Sequence, residues 1–360
     1  MNKKILEGFL NLSRSHLPII WEVPFDFYGW HYEVPKTFID RYHLVSGARV
    51  TCEVIDEKIT NILEISGNDP TAFATRKNMN QLQPVSPYKR FELGKSRYPA
   101  MRMIDLFMPV GQGTRGLIVS PPRAGKTTIL EQLTNSLIAL DPKLHIIVLL
   151  IDERPEEVTQ FKMNTKARVF HSSLDKGAQS HVLLSNFLLN HIRLEMECGN
   201  HVVLLIDSLT RMGRAYNTSD HNSRSRTMSG GLGSGALELP RKLFGLARAI
   251  EDGGSCSILA TILKDTGSRM DEVIFQEFKG TGNCEIILDR KLADERVFPA
   301  INLRESGTRR DELLIPMEKL DKINQLRRSL LRLNEVNQIE QMKKKFAHYP
   351  NNEELLTSLN

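Results

Sequence analysis

SPPRAGKTT, residues 120–128, decides how this chain is read. It follows Leu117, Ile118 and Val119, and Ile129, Leu130 and Leu133 continue at helical spacing behind it. The order is strand, loop, helix, which is what a phosphate cradle needs. The strand delivers a tight loop of backbone N–H groups, and the helix N-terminus adds its positive end. Within the loop, Ala124 precedes Gly125, the glycine before the lysine that lets the main chain approach an anion closely. Lys126 would reach the β/γ-phosphates, and the Thr127 hydroxyl would ligate Mg²⁺. The usual pattern has glycine where this chain has Ser120, and Pro121 and Pro122 follow it.

Two apolar runs beyond the loop end in aspartate, Ile151-Asp152 and Ile206-Asp207. An aspartate at a strand end is what the Mg²⁺ side of such a site requires, and both Asp152 and Asp207 meet that requirement. Glu153 follows Asp152 directly. In isolation, residues 152–157 (DERPEE) read as a solvated acidic turn. Beside a phosphate loop, a glutamate at the end of a neighbouring strand can polarise an attacking water.

The texture of the chain supports this site. Apolar runs at 116–120, 145–151, 201–206, 256–263 and 284–288 alternate with helical patterns. That predicts an α/β domain with a mostly parallel sheet covered on both faces. Residues 1–68 alternate apolar and polar in short stretches, which predicts a small OB-like β-barrel. Residues 69–98 are polar and proline-marked and read as a connector. The ATPase-type domain is expected over 99–346, and 347–360 as a loose polar tail. Residues 316–346 carry Leu320, Ile323, Leu326, Leu330 and Leu333 at three-to-four spacing, a helical face. Arg327-Arg328 and Lys343-Lys344-Lys345 read as solvated.

Bulk properties set outer limits. The chain has 360 residues, 41% hydrophobic and 25% charged, enough for a large core and two domains. A net charge of +5 suits a nucleic-acid partner without demanding one. Cys52, Cys198, Cys256 and Cys284 form no Cys-x-x-Cys pair, which argues against zinc ribbons and disulfide scaffolds. No apolar run is long enough to cross a membrane. The basic N-terminus is broken by Glu7 and Asn11 and does not read as a signal peptide, so a cytoplasmic location is expected.

Several long segments together are recognisable. GLIVSPPRAGKT (116–127), LLIDERPEEVT (149–159), LLIDSLTRMGRAYN (204–217), DTGSRMDEVIFQEFKGTGN (265–283) and RVFPAINLRESGTRRDELL (296–314) resemble the transcription termination factor Rho family. The resemblance covers nearly all of 99–346, and in that family serine at position 120 and the double proline are ordinary. It implies a RecA-like P-loop ATPase that forms a homohexameric ring and moves 5′→3′ on single-stranded RNA with ATP and Mg²⁺. Nucleotide would sit between neighbouring subunits. The resemblance implies phosphate and Mg²⁺ contacts for Lys126 and Thr127, with Arg123 where lysine is common and Thr128 closing the loop. GQGTRG (Gly111, Gln112, Gly113, Thr114, Arg115, Gly116) resembles a lead-in that also contacts nucleotide. Glu153 resembles the catalytic glutamate and Asp207 the Mg²⁺-side aspartate. Arg154 and Arg211 resemble arginines of the nucleotide site, and Arg309 an arginine finger offered to the next subunit. RNA polymerase and elongation factors are candidate partners.

Two loops would line the central hole. One, 219–235, carries Arg224, Arg226, Gly230 and Gly231; the other, 264–271, places Arg269 where the family has lysine. Arginine keeps the charge but changes the donor geometry. The resemblance thins toward the N-terminus, where no counterpart of the family's preceding helical bundle is expected. GFLNL (8–12) resembles part of a Gly-Phe-Leu-Arg signature, making Phe9 a candidate RNA contact, with Asn11 replacing arginine. Glu7 and Ile59 stand where aromatics are expected. Tyr32 and Arg41 resemble a base-stacking aromatic and its basic partner, and residues 24–32 remain rich in aromatics. Two rivals stay open. One is an ATP-gated RNA-binding ring that regulates without translocating. The other is a rotary ATPase subunit, a related ring fold.

Overall fold

The computed structural model describes residues 3–12, 18–22, 30–220, 229–233 and 235–359. Arg224, Arg226 and most of the aromatic segment 24–32 therefore lie outside the described residues.

The N-terminal sheet comprises β1 (Lys3–Asn11), β2 (Ile19–Trp21), β3 (His31–Glu33), β4 (Arg49–Ile55) and β5 (Lys58–Ile65), all antiparallel. Its order is β3-β2-β1-β4-β5, and β3 also approaches β5. Closing that order gives the strand sequence of an OB-type barrel, with the helix Lys36–Tyr42 between β3 and β4. Alternation builds the interior, since Val50, Cys52 and Val54 of β4 face inward with Ile59, Ile62 and Ile65 of β5. Asp56 and Glu57 join β4 to β5 with φ of 48° and 62°, a two-residue turn whose twist matches the strands.

The connector contributes β6 (Pro84–Val85), which pairs with the large sheet. That sheet is built from β7 (Arg115–Ser120), β8 (His145–Ile151), β9 (Arg168–Ser172), β10 (His201–Asp207), β11 (Arg248–Ile250), β12 (Ser255–Leu263), β13 (Cys284–Ile287) and β14 (Gly307–Thr308). The order is β14-β13-β7-β12-β10-β8-β9, with β11 beside β12. The pairs among β13, β7, β12, β10, β8 and β9 are all parallel. Their apolar runs are buried on both faces. One face packs on Leu130, Leu133 and Leu137 of the helix Lys126–Leu140, the other on Leu184, Leu188 and Ile192 of the helix Ala178–Glu197. All the parallel strands thus end at one edge, where open α/β sheets place their ligands.

The five apolar runs of the sequence are β7, β8, β10, β12 and β13. The sequence reading missed β9, β11 and β14, which are short or polar and find their place through neighbours. Two expectations fail at the C-terminal end. The tail is not loose: the helix Asn352–Thr357 buries Leu355 and Leu356. Buried Asn352 donates to Asp105 Oδ2 and to the Arg102 carbonyl, each at 2.9 Å. Nor is Arg327 solvated. Its guanidinium donates to the carbonyls of Phe107 and Leu303, at 3.3 and 2.7 Å, and to that of Ser306. Polar residues here satisfy helix and strand ends that composition cannot reveal. The helical face 316–346 is two helices, Met317–Leu330 and Glu335–His348, separated by the cap Asn334.

Candidate functional site

Four strand ends supply the site. β7 runs into the loop, where Arg123 (φ 65°) and Gly125 (φ 90°) take left-handed conformations before the helix begins at Lys126. Ser120 is fully buried and its hydroxyl donates to the Pro121 carbonyl at 2.8 Å. A side chain therefore fits where the usual pattern has glycine. Thr127 lies in the helix's first turn, half-buried, and Ala124 is buried beneath the loop, while Arg123 and Thr128 are exposed.

β8 ends at Ile151 and delivers Glu153, which is 3% exposed; β10 ends in Asp207, 2% exposed. Lys126 Nζ lies 2.5 and 2.7 Å from the two Asp207 oxygens and 3.2 Å from Glu153 Oε1. The Thr261 hydroxyl of β12 donates to Asp207 Oδ1 at 2.7 Å. Arg211 closes the cluster, its Nε 3.1 Å from Glu153 Oε1 and its Nη1 3.2 Å from Asp152 Oδ2. Burial, with the Asp207 charge nearby, pushes the Glu153 carboxyl up to about 7 despite Lys126 and Arg211. Burial opposes charge on Lys126, yet Asp207 and Glu153 outweigh it and raise the ammonium's pKa. Arg154 is exposed at the rim, capping the helix Pro155–Asn164.

Phe298 went unnoticed in the sequence. It is 43% exposed, and its ring edge lies 3.6 Å from where a Cβ on Gly125 would sit. An exposed aromatic beside a phosphate loop is an available stacking face. Only the tertiary fold brings it there, so spacing carried no signal.

Gly111 to Gly116 do not join this cluster. They lead into the opposite end of β7: the Gly111 N–H donates to the Thr114 hydroxyl at 2.8 Å and the Gly113 N–H to the Ser257 hydroxyl at 2.9 Å. Gln112 and Thr114 are 2% and 0% exposed. This segment is a buried support for the sheet, separated from its own phosphate loop by the length of β7. Arg309 lies at that same end. β14 pairs Thr308 with Cys284, and Cys284 with Gly116 of β7.

The two loop regions do meet. Gly230 and Gly231 adopt φ of 72° and 81°, and a Cβ on Gly230 would lie 3.0 Å from the Arg269 carbonyl. Exposed Arg269 opens the helix Arg269–Phe278. The helix Leu209–Asp220 ties these parts to the acidic cluster. Arg211 holds Glu153; one turn on, Arg214 grips buried Asp271 at 2.8 and 2.5 Å; another turn on, Asn217 bonds the Gly231 carbonyl and the Gly233 N–H.

The barrel overturns one expectation. Phe9 is 3% exposed and packs against Phe170, Phe187 and His191 of the large domain, with centroids 5.4, 6.1 and 5.1 Å away. It offers no face to a base. Its neighbour Glu7 accepts from Arg49 and Arg168, each at 2.7 Å, while Arg49 also binds Glu195 at 3.1 and 3.2 Å. Ile59 is buried in the barrel core. Tyr32 is half-buried, 5.6 Å from the Trp30 ring, and Arg41 is exposed over Tyr42.

Comparison with known proteins agrees with this architecture. Residues 100–308 match the nucleotide-binding domain of the ATP synthase alpha/beta family. A solved ATPase from the type III secretion system of pathogenic bacteria shares the fold, with a TM-score of 0.62, 21% identity and 78% of each chain covered. The transcription termination factor Rho of Karelsulcia muelleri is 44% identical, covering 84% of this chain and 79% of its own. That of Streptobacillus moniliformis is 43% identical, covering 91% and 80%. The chain belongs to the transcription termination factor Rho family and carries its ATPase domain.

Proposed function

We propose that this Rho-type terminator is an RNA-stimulated ATPase that translocates 5′→3′ along single-stranded RNA as a homohexameric ring. The observation that carries this reading is the helix Leu209–Asp220. It contacts the acidic cluster through Arg211 and both candidate RNA loops through Arg214 and Asn217. A nucleotide-driven shift of this helix would carry the contacts of Arg214 and Asn217 with it and so couple hydrolysis to RNA grip.

The chemistry follows from the charges. Lys126 sits on two carboxylates, and a polyphosphate would draw it away. A divalent cation would then take its place as counter-charge. Among the described residues no group of three or more His, Cys, Asp or Glu could hold a metal. That fits an ion completed by phosphate and water, with the Thr127 hydroxyl and Asp207 as the protein's contribution. Bound there, Mg²⁺ would neutralise charge on the transferring phosphoryl group. Glu153, with its pKa raised to about 7, is poised to accept a proton from an attacking water. Arg154, Arg123 and Arg211 surround the phosphates' path. Arg309 lies at the far end of β7 from Lys126, which supports its action on a neighbour's nucleotide. Phe298 would take the base. A cytoplasmic setting with RNA polymerase and elongation factors as partners accords with this role. Among the described residues no helix is long and apolar enough to cross a membrane.

A second reading, an ATP-gated ring that holds RNA without translocating, draws on one observation: Phe9 and Glu7 are committed to the domain interface. Steady-state ATP hydrolysis with poly(C), poly(U) and long mixed RNA separates the two. Strong stimulation by long RNA is expected. Nucleotide binding without stimulation by any RNA would leave the gated ring.

A further inference from the structure

Glu153 is held at two points. Its carboxylate meets Arg211, Nε to Oε1 at 3.1 Å, from the helix Leu209–Asp220. Its backbone is held by the end of β9. The Asp152 N–H donates to the Ser172 carbonyl at 2.8 Å, and the Leu174 N–H donates to the Glu153 carbonyl at 2.9 Å. The β8–β9 ladder closes with Ile151 opposite Ser172, so these two bonds carry the pairing past the ladder and clamp the turn that follows it. That turn depends on its clamp. Asp152 has a φ of 58°, a left-handed conformation that favours glycine, and such a backbone persists only where its surroundings impose it.

β9 is the last strand of the large sheet, paired with β8, so its end needs a second support. The helix Ala178–Glu197 gives it one. Alternation puts Phe170 and Ser172 on the same face of β9, and Phe170 lies in the core that this helix covers. The Ser172 hydroxyl lies 2.7 Å from Nδ1 of His181, in the helix's first turn. Both residues are buried, at 5% and 4% exposed. The next residue, Val182, accepts a hydrogen bond at its carbonyl from Tyr216 Oη at 3.1 Å. Tyr216 belongs to the helix that carries Arg211. Two consecutive residues of one helix thus brace both supports of Glu153. His181 braces the turn that carries it, and Val182 braces the helix whose arginine meets its carboxylate.

We propose that His181 and Ser172 are positioning residues for ATP hydrolysis, setting the place of the Glu153 carboxylate through the Asp152–Glu153 turn. The inference rests on reading Glu153 as the group that polarises the attacking water. A buried pair that served packing alone could be replaced by apolar groups of similar shape at little cost. A pair that aims Glu153 must act on kcat. Nucleotide in the ground state is held at the loop of Lys126, whereas the alignment of water and carboxylate counts in the transition state. Misplacing a reacting group by about 1 Å can cost about a hundredfold in rate.

Steady-state hydrolysis by the full chain with long RNA tests this. Ser172→Ala and His181→Phe should each lower kcat by about ten- to a hundredfold, with the KM for ATP changed by less than about twofold. Ser172→Ala removes a single oxygen, so the test holds even where His181→Phe does not fold. His181→Asn, whose amide can stand where Nδ1 does, should recover most of kcat. Glu153→Gln is the reference. It should reduce hydrolysis to a residual single-turnover rate, and Ser172→Ala in that background should lower the rate little further, because both changes act through one carboxylate. Unchanged kcat in Ser172→Ala and His181→Phe, with Glu153→Gln inactive, overturns the positioning role and leaves the reading of Glu153 intact. An additive loss in the Glu153→Gln background also overturns it, since the hydroxyl would then act elsewhere. So does a fall in kcat that tracks a fall in thermal midpoint and is not recovered by His181→Asn, which assigns the pair to packing. Full turnover by Glu153→Gln removes the reading of Glu153 itself, and the positioning role goes with it.

Discussion

At the strand-end edge of the large sheet, Lys126, Glu153, Asp207 and Arg211 converge within hydrogen-bond distance beside the phosphate loop. At the barrel's inner edge, Glu7, Arg49, Arg168 and Glu195 form a cluster of the same residue types at similar distances, yet it is packed between two domains. Alike in composition, the clusters differ in what surrounds them. The first hangs on loops that follow parallel strands, beside backbone N–H groups that can receive a phosphate. The second lies between Phe9 and the helix Ala178–Glu197, where every charge already has its counter-charge. Charged residues at a signature position mark a site only where the fold leaves them something to bind.

The largest effect should fall on the first cluster. Lys126→Ala removes the ammonium that offsets two buried carboxylates and that phosphates would recruit. Turnover should fall by at least about 10³-fold and nucleotide binding should be lost with it. Filter binding and steady-state hydrolysis measure the two. Retained tight binding would mean that the loop's backbone holds phosphate without the lysine.

The second cluster answers to stability instead. Arg49→Ala strands the Glu195 carboxylate in the interface, which typically costs about 3–5 kcal/mol. Replacing both partners by well-packed apolar residues should cost much less. Denaturant unfolding of the two variants gives the comparison. Burial would raise the Glu195 carboxyl, but His191 and Arg49 hold it at about 2. A depressed carboxyl contributes fully above its ordinary value and loses that contribution as the pH falls toward 2. The lock should therefore be insensitive to pH across the neutral range, and a loss of its stabilising contribution as the pH falls from 8 to 6 would contradict it.

The pH dependence of the first cluster has the opposite character. Glu153 must be deprotonated to accept a proton, and burial with Asp207 lifts its pKa to about 7. Below that value kcat/KM for ATP should fall about tenfold per pH unit, levelling above it. A rate flat down to pH 5 would remove Glu153 as the base.

Legibility followed the same division. Glu153 and Asp207 could be read because each follows an apolar run within a residue or two, and Gly125 and Lys126 because they close a loop between an apolar run and a helical pattern; parallel strands bring such positions to one edge. Phe298, far along the chain from Gly125, carried no such signal. The Gly111–Gly116 segment is near the loop in sequence but not in space, because a strand lies between them. Phe9 misled because its burial depends on Phe170 and Phe187, which pattern in the barrel cannot reveal. Asn352 and Arg327 looked like solvated residues of a polar stretch until their backbone partners were visible.

The smallest effect tests what the barrel still does. Tyr32 remains half-buried beside Trp30, on β3, away from the interface that holds Phe9. If the barrel keeps a stacking platform, it is there. Tyr32→Ala should weaken binding of a short pyrimidine oligonucleotide by about 1–3 kcal/mol and leave the thermal midpoint near its original value. Phe9→Leu should do the reverse, because its ring fills the domain interface and touches no ligand: a lower midpoint with unchanged oligonucleotide affinity. Fluorescence anisotropy and thermal melting of both variants decide the matter. Loss of oligonucleotide binding in Phe9→Leu with an unchanged midpoint would mean that the interface opens in solution, and the contrast between the two clusters would then be one of population, not of design.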